Sequence, residues 1–390
     1  MTQEEKQEKA RINRIMSKGP IDLPFTLLVL LLTAIGVLMV FSASFARAYY
    51  EASDPSTMAA LSIFLRQAGF AAAGIVVMFV ISKVDYHRWR RWAGPILILA
   101  IILLVLVIIP HNPLAVTRNN ATRWLRLGIQ FQPSEVAKFA VILYFAATIS
   151  VKKNKMLDFK EGIMHYVLIL GVISLLMLKE PHLSGTVLIL GIGACMMFAG
   201  GISGKMAALG VGTGVMGALV LFSGILPYGQ SRILQWKDPW AYAADKGYQT
   251  VQSLLAIGSG GLAGVGFGKG RQKLMYLPEE HNDMIFSIVC EELGFIGAAL
   301  ILALFCFLVL RGYWIAVHAR DRFGGLLAVG ITTMVALQTF LNVAVVTNFV
   351  PNTGISLPFF SYGGTALLIQ LAEMGILLSV SRQMPGPKAG

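Results

Sequence analysis

Charged residues are scarce in this chain, and their scarcity excludes an ordinary soluble globule. Asp, Glu, Lys and Arg make up 13% of the 390 residues, against about 25% in typical soluble domains. Basic residues outnumber acidic ones by 32 to 20, which gives a formal net charge of +12. Because this excess is spread over short segments between apolar runs, it indicates membrane topology and not nucleic-acid binding.

Cysteine is also rare, and the usual signatures of metal and nucleotide sites are missing. Cys195, Cys290 and Cys306 lie in apolar segments, with no CxxC pair or Cys/His cluster to indicate a disulfide framework or a zinc site. The glycine-dense segment 258–270 can either present backbone N–H groups to a phosphate or serve only as a turning loop. No GK[ST] follows it, which excludes a P-loop.

Long apolar runs are what the chain has in abundance. Hydrophobic residues make up 56% of it, and a helix needs about 20 apolar residues to cross a bilayer. The runs predict an all-α polytopic membrane protein whose first helix is retained, because no small-residue cleavage site follows it. The ten predicted transmembrane helices lie near 23–44, 61–82, 93–110, 132–151, 162–179, 185–201, 205–226, 284–311, 325–347 and 362–381.

The distribution of basic residues orients these helices. More than half of the 32 Lys and Arg residues fall in short segments that are cytoplasmic if the N-terminus is inside, as the positive-inside rule requires. This predicts cytoplasmic tails over 1–22 and 383–390 and a single ten-helix membrane domain over 23–382. A large extracellular loop is predicted over 227–283, between helices seven and eight, with a short helix near 248–257.

Some basic residues oppose this rule. Arg123 lies in the second outer loop, and Lys138 lies inside the fourth helix. Long outer loops tolerate charge of either sign, but an anionic ligand such as a phosphate also explains cations placed there. We favour the ligand for Arg123 and Lys138. Glu135 shares a helix face with Lys138, so the two can form a structural ion pair or act in catalysis.

An acidic cluster stands before the eighth helix. Glu279, Glu280 and Asp283 immediately precede the apolar run that begins at Met284. Acids are favourable at a solvated helix N-terminus. A carboxylate at the membrane boundary can also contact a polar headgroup, and ionisable groups beside hydrocarbon usually have a function. Spacing alone leaves both interpretations open.

The order of short motifs along the chain resembles the SEDS proteins (shape, elongation, division and sporulation), which include FtsW, RodA and SpoVE. The resemblance covers roughly residues 23–382, and the combination of motifs is highly specific. The motifs that carry it are Phe41–Ser44, Val84–Tyr86, Arg123–Trp124, Gln132–Glu135 with Lys138, Gly247–Gln249, Gln252–Leu254, Leu277–Glu279 with Asp283, Glu291–Gly294 and Gly354–Thr365.

The resemblance implies a peptidoglycan glycosyltransferase that polymerises lipid II into glycan strands at the outer face of the cell membrane. It places the essential acid of the family on Asp283. Our hypothesis is that Asp283 is the general base and that cations offset the charge of the departing diphosphate. The candidate substrate-binding residues are Arg123, Lys138, Glu135, Lys273, Glu279 and Ser361.

The resemblance also implies partners and allows a cofactor. The implied partners are lipid II, undecaprenyl-diphosphate-linked glycan, membrane lipids and a class B penicillin-binding protein. A divalent cation, Mg²⁺ or Mn²⁺, is allowed, although the sequence contains no closed metal site. Asn282 and Met284 stand where the family pattern has Thr and Phe, and His182 replaces an acid, so no catalytic role is assigned to 181–186. The motifs favour the division and sporulation branch over the elongation branch.

Two other classes of function stay open. A lipid II flippase or other transporter would also need many helices, a basic outer cavity and intramembrane acids such as Glu292 and Glu373. A noncatalytic scaffold for the penicillin-binding protein would need the fold but no acid at position 283.

Overall fold

The computed structural model describes residues 19–51, 56–110, 112–118, 121–206, 208–210, 212, 233–245 and 247–384. Within them the chain is mainly helical, as the apolar runs predicted. The helices are α1 (Leu23–Tyr50), α2 (Thr57–Ser82), α3 (His87–Arg90), α4 (Ala93–Ile108), α5 (Pro133–Lys152), α6 (Met164–Lys179), α7 (Leu183–Ala199), α8 (Tyr248–Gly260), α9 (Ile285–Val317), α10 (Arg322–Val346) and α11 (Gly364–Ser381).

The helices make this a multi-pass membrane protein. Among the described residues, seven helices are long and apolar enough to cross a bilayer: α1, α2, α5, α6 with the π turn before it, α9, α10 and α11. The helices α4 and α7 are apolar but shorter. The predicted helix 205–226 lies mostly outside the described residues, so the count of ten stays a prediction.

The most buried spanning helices are α5, α10 and α11, and the core forms around them. α11 packs against α2, while α10 packs against α5, α7 and α9. The start of α1 is fixed to α9 because Asp22 accepts a hydrogen bond from Phe25 N (3.0 Å) and pairs with Arg311 (2.8 Å).

A small β-sheet corrects the all-α prediction. β1 (Ala115–Arg118), β2 (Ala121–Leu127) and β3 (Ile129–Phe131) form an antiparallel sheet in that order, between α4 and α5. Leu125 lies opposite Phe131 and is fully buried against Leu103 and Val107 of α4. The pairing of β1 with β2 shifts register opposite Arg123, between Val116 and Thr117, and a bulge of this kind re-aims a side chain.

The backbone of the segment between α8 and α9 lies very close to the backbone of α9. The predicted short helix near 248–257 is confirmed as α8, and the chain after it runs beside the start of α9. A Cβ at Gly264 would lie 2.2 Å from Glu292 O, and Gly264 and Gly294 both have positive φ angles of 80° and 68°. Glycine is required at both positions because any side chain would separate the two backbones.

Candidate active site

A cavity of about 910 Å³ opens where β2, α5, the α6–α7 turn and the two segments before α9 and α11 meet. Its walls include every residue that the sequence predicted for the site except Lys273. These lining residues are Arg123, Glu135, Lys138, Glu279, Asp283 and Ser361. Residues distant in sequence therefore share one cavity, as expected for Arg123, Lys138 and Asp283.

The backbone around Asp283 is fixed by side chains from α10 and from the segment before α11. Asn342 donates to Asp283 O (2.8 Å) and to Ile355 O (2.6 Å). Ser361 Oγ donates to Asn282 O (2.8 Å) and accepts from Leu357 N (2.7 Å). Because Asn342 is fully buried, these bonds hold the two segments in a fixed relation.

The carboxylate of Asp283 accepts no hydrogen bond from the residues that the structure describes, although the backbone beside it is fixed. The side chain is half-buried, and its Oδ2 lies where a Cβ at Gly354 would be only 2.9 Å away. Burial and, after it, the charge of Glu279 raise the pKa of Asp283 to about 6, and the charges of Arg123 and His281 oppose this rise. A carboxylate with a pKa near neutrality is suited to accept a proton from a substrate.

The other two acids of the cluster have different surroundings. Glu280 is fully buried and accepts two hydrogen bonds from Arg47 of α1, at 2.6 and 2.8 Å. Glu279 has a positive φ angle of 57° and accepts from Asn282 Nδ2 at 2.5 Å. The cluster is therefore not a solvated helix start, because Glu280 anchors the segment to α1.

Arg123 and Lys138 both line the cavity, and each contacts other parts of the protein. Lys138, only 3% exposed, lies 2.7 Å from Glu135, so the two residues form an ion pair, and a role in catalysis stays open for them. Arg123 donates to the carbonyls of Pro181 (2.5 Å) and Glu180 (3.4 Å), which ties the sheet to the α6–α7 turn. Arg66 and Arg126 are exposed and line the same cavity.

Lys273 requires a correction. Its ammonium is buried, 2.6 Å from Glu292 Oε1 and 2.8 Å from Ser42 Oγ, and it does not line the cavity. Gly268 N also donates to Glu292 (3.0 Å), and Arg271 N donates to Glu291 (2.7 Å). Backbone N–H groups in the glycine-dense segment and just after it therefore point at protein carboxylates, and Lys273 balances their charge without reaching the cavity.

A match over almost the whole chain decides the family. The family model for FtsW, RodA and SpoVE, described as a cell cycle protein, matches residues 23–385. The chain belongs to the FtsW/RodA/SpoVE family. The probable peptidoglycan glycosyltransferase FtsW of Geobacter sp. (strain M18) is 40% identical, over 94% of this chain and 98% of that protein. Stage V sporulation protein E of Bacillus subtilis (strain 168) is 41% identical, over 93% of this chain and 97% of that protein.

Solved structures have the same FtsW/RodA/SpoVE fold. The rod shape determining protein RodA of Thermus thermophilus superposes with a TM-score of 0.67 at 25% identity, over 94% of this chain and 98% of that one. A chain from a peptidoglycan synthase complex superposes with a TM-score of 0.76 at 24% identity, over 93% and 98% of the two chains. The resemblance inferred from the motifs is therefore confirmed.

Three amide side chains in and beside the cavity of this FtsW/RodA/SpoVE member were not predicted as site residues. Asn342 holds Asp283, while Gln338 and Gln370 line the cavity. A signal existed, because amide side chains inside apolar helices are rare and usually functional. No group of three or more His, Cys, Asp or Glu side chains that could hold a metal is found among the residues that the structure describes.

Proposed function

We propose that this protein is a peptidoglycan glycosyltransferase that polymerises lipid II for division or sporulation. The observation that carries the proposal is the Asp283 carboxylate, fixed through its backbone and open to a cavity with arginines at its mouth. The names of the relatives support the same activity, since one is a probable peptidoglycan glycosyltransferase and another a sporulation protein.

The reaction needs one base and one stabilised leaving group. In the proposed step, Asp283 takes the proton from the 4-hydroxyl of the acceptor GlcNAc. That oxygen attacks the anomeric carbon of the donor MurNAc with inversion, and the bond from that carbon to the diphosphate breaks. The lipid diphosphate leaves with the bonding electron pair. A positioned general base of this kind contributes roughly 10²–10⁴-fold to a rate.

Charge at the mouth of the cavity would stabilise the diphosphate. Arg66, Arg123 and Arg126 line this region, and arginine binds phosphate oxygens through paired, charge-assisted hydrogen bonds. The negative charge of Glu279 raises the pKa of Asp283. Ser361 donates its hydroxyl proton to Asn282 O, so its proposed contribution is to position the segment that carries the base.

A divalent cation, Mg²⁺ or Mn²⁺, is compatible with this donor set. Mg²⁺ is usually held by one or two carboxylates together with substrate phosphates, and Asp283 with the neighbouring Glu279 would supply such carboxylates. When bound, the ion would neutralise phosphate charge. The requirement for a cation stays a prediction.

The proposed orientation places the cavity at the outer face of the membrane, with both termini cytoplasmic and ten transmembrane helices in all. The orientation rests on the excess of Lys and Arg in the segments opposite the cavity. A class B penicillin-binding protein is the proposed partner, because a crosslinking enzyme must act on the strands produced here. A solved peptidoglycan synthase complex that coordinates polymerization and crosslinking contains a chain of the same fold.

A purified-protein assay with lipid II tests this function. We expect the protein in detergent or liposomes to convert labelled lipid II into long glycan strands. Movement of lipid II across liposomes without strand formation would favour a flippase. If neither occurs in the presence of the penicillin-binding protein and Mg²⁺ or Mn²⁺, the protein is a noncatalytic scaffold.

A further inference from the structure

The inner end of the cavity contains polar atoms that the protein itself leaves unsatisfied. Four side-chain atoms there are buried and, among the described residues, have no hydrogen-bond partner: Ser134 Oγ, His182 Nδ1, Gln370 Nε2 and Glu373 Oε2. All four residues line the cavity. They come from the start of α5, the residue before α7 and the middle of α11, so no single element's geometry explains them.

These four atoms require hydrogen-bond partners from outside the described part of the chain. Roughly 90% or more of buried polar groups have a hydrogen-bond partner, and each exception needs an explanation. Gln370 shows that the atoms are held in place, because its Oε1 accepts from Phe359 N (3.1 Å) and fixes the orientation of the amide. Gln370 and Glu373 are three residues apart and share one face of α11.

The ammonium at this inner end is already paired with a carboxylate. The ammonium of Lys138 is 2.7 Å from Glu135, and Glu373 interacts electrostatically with both. His182 is neutral at physiological pH, since burial and the charges of Arg123 and Lys138 lower its pKa to about 3. Arg66, Arg123 and Arg126 line the cavity outside this group. A diphosphate is therefore better matched to the mouth than to the inner end.

We propose that Ser134, His182, Gln370 and Glu373 form a subsite for an uncharged substrate group that carries amide and hydroxyl functions, with Glu373 as its main hydrogen-bond acceptor. The subsite offers hydroxyl, imidazole, amide and carboxyl groups around an internally neutralised ammonium. This combination complements a group with several donors and acceptors and no net charge. An N-acetylated sugar and the amide-rich peptide stem of lipid II both have this chemistry. The inference rests on the proposed function for the identity of the substrate.

Binding of labelled lipid II to the full-length protein tests the subsite without catalysis. We would measure Kd in an Asp283→Asn background, which prevents turnover, and add Glu373→Leu or Glu373→Gln. Loss of a hydrogen bond to a carboxyl group should raise Kd about 10-fold or more for Glu373→Leu. Glu373→Gln keeps one acceptor oxygen and should raise it less. Met374→Leu is the matched control, because Met374 is buried on the same helix but does not line the cavity.

Thermal unfolding separates a binding role from a structural one. Glu373→Leu removes an unsatisfied buried atom, so the ligand-free protein should melt at the same or a higher temperature. Unchanged Kd for Glu373→Leu would overturn the subsite, and so would weaker binding that merely follows a fall in Tm. Binding without polymerisation by the otherwise unchanged protein would refute the proposed function but leave the subsite intact.

A lipid-linked disaccharide without the peptide stem identifies which group occupies the subsite. If the effect of Glu373→Leu persists with this ligand, the sugar supplies the amide and hydroxyl groups. If the effect disappears while the ligand still binds, the peptide stem supplies them. Either result supports the subsite, whereas no effect of Glu373→Leu with either ligand contradicts it.

Discussion

Two acidic regions that are close in sequence have opposite surroundings. Glu291 and Glu292 at the start of α9 are surrounded by donors: backbone N–H groups of Gly268 and Arg271 and the ammonium of Lys273. Asp283 has its backbone carbonyl bound by Asn342, but none of the described residues donates a hydrogen bond to its carboxylate. Within the described part of the chain, hydrogen bonds satisfy the first two acids, whereas the carboxylate of the third faces the cavity without a donor.

The difference teaches that depth in the membrane does not by itself identify a functional acid. Glu292 is 1% exposed and forms a buried ion pair with Lys273, so its charge stabilises the fold. Asp283 is less buried, but its pKa is raised to about 6. An acid with saturated hydrogen bonds is a poor base, because protonation would break contacts that favour its ionised form.

The largest expected effect comes from neutralising Asp283. Asp283→Asn keeps the size of the side chain but cannot accept a proton from the substrate, so polymerisation should fall about 100-fold or more. Strand synthesis from lipid II measures this, with Tm measured alongside. We expect Tm to stay within a few degrees, because the backbone bonds from Asn342 and Ser361 remain. Strand synthesis near the original rate by a well-folded Asp283→Asn protein would remove this residue from the mechanism.

Glu292→Gln should damage the fold instead. Removing one partner of a buried ion pair typically costs about 3–5 kcal/mol because the other charge stays buried and uncompensated. We expect a lower Tm and less folded protein in the membrane. The fall in total activity should match the fall in the amount of folded protein, so the Glu292→Gln molecules that do fold should be as active as the unchanged protein.

A double substitution provides the control for Glu292. Glu292→Leu together with Lys273→Met removes both charges and should recover stability relative to either single change. If the double variant is folded but inactive, Lys273 or Glu292 acts on substrate after all, and the contrast with Asp283 fails.

Gly354→Ala should displace the carboxylate of Asp283 without changing its chemistry. Gly354 has a φ angle of 67°, and a Cβ there would be 2.9 Å from Asp283 Oδ2. We expect activity to fall about 10-fold, since small displacements of a reacting group cost rate steeply. Gly261→Ala is the control: Gly261 has a φ angle of 53° but open space around its Cβ, so it shares the backbone strain and not the clash. Equal losses of activity in both variants would assign the effect to strain.

The helices were predictable because apolar length is a local property. The C-terminal ends of α1 and α9 were harder to predict, because both helices continue beyond the predicted apolar runs, to Tyr50 and Val317. The β-sheet was missed because its strands are short and gain stability only by pairing with one another and packing on α4. The sequence shows the alternation of residues 122–126, but not the partner that stabilises it.

The site was predictable in part, for the same physical reason. Arg123, Lys138 and Asp283 were found because charge opposed topology or matched a motif. Lys273 was misassigned because its partners, Ser42 and Glu292, come from other elements. Which buried charge is already paired depends on such distant contacts, and sequence spacing does not report them.

The smallest expected effect is also the most specific to the surroundings of Asp283. Only the ionised carboxylate can act as a base, so kcat/KM should be fully developed above the pKa of about 6 and fall as the pH drops through it. The cation of Arg123 lowers this pKa and the anion of Glu279 raises it. Arg123→Gln should therefore move the acid limb of the pH profile to higher pH, and Glu279→Gln should move it to lower pH.

Each shift should be less than about one pH unit, because the cavity is open and partly solvated charges interact weakly. The measured quantity is the pH at which kcat/KM falls, and not the maximal value of kcat/KM. Weaker substrate binding in either variant therefore does not change the interpretation. Opposite shifts would identify Asp283 as the titrating group, since the two residues surround it with charges of opposite sign. A limb that stays in place in both variants would mean that another group controls the pH dependence and that the raised pKa of Asp283 is not used in catalysis.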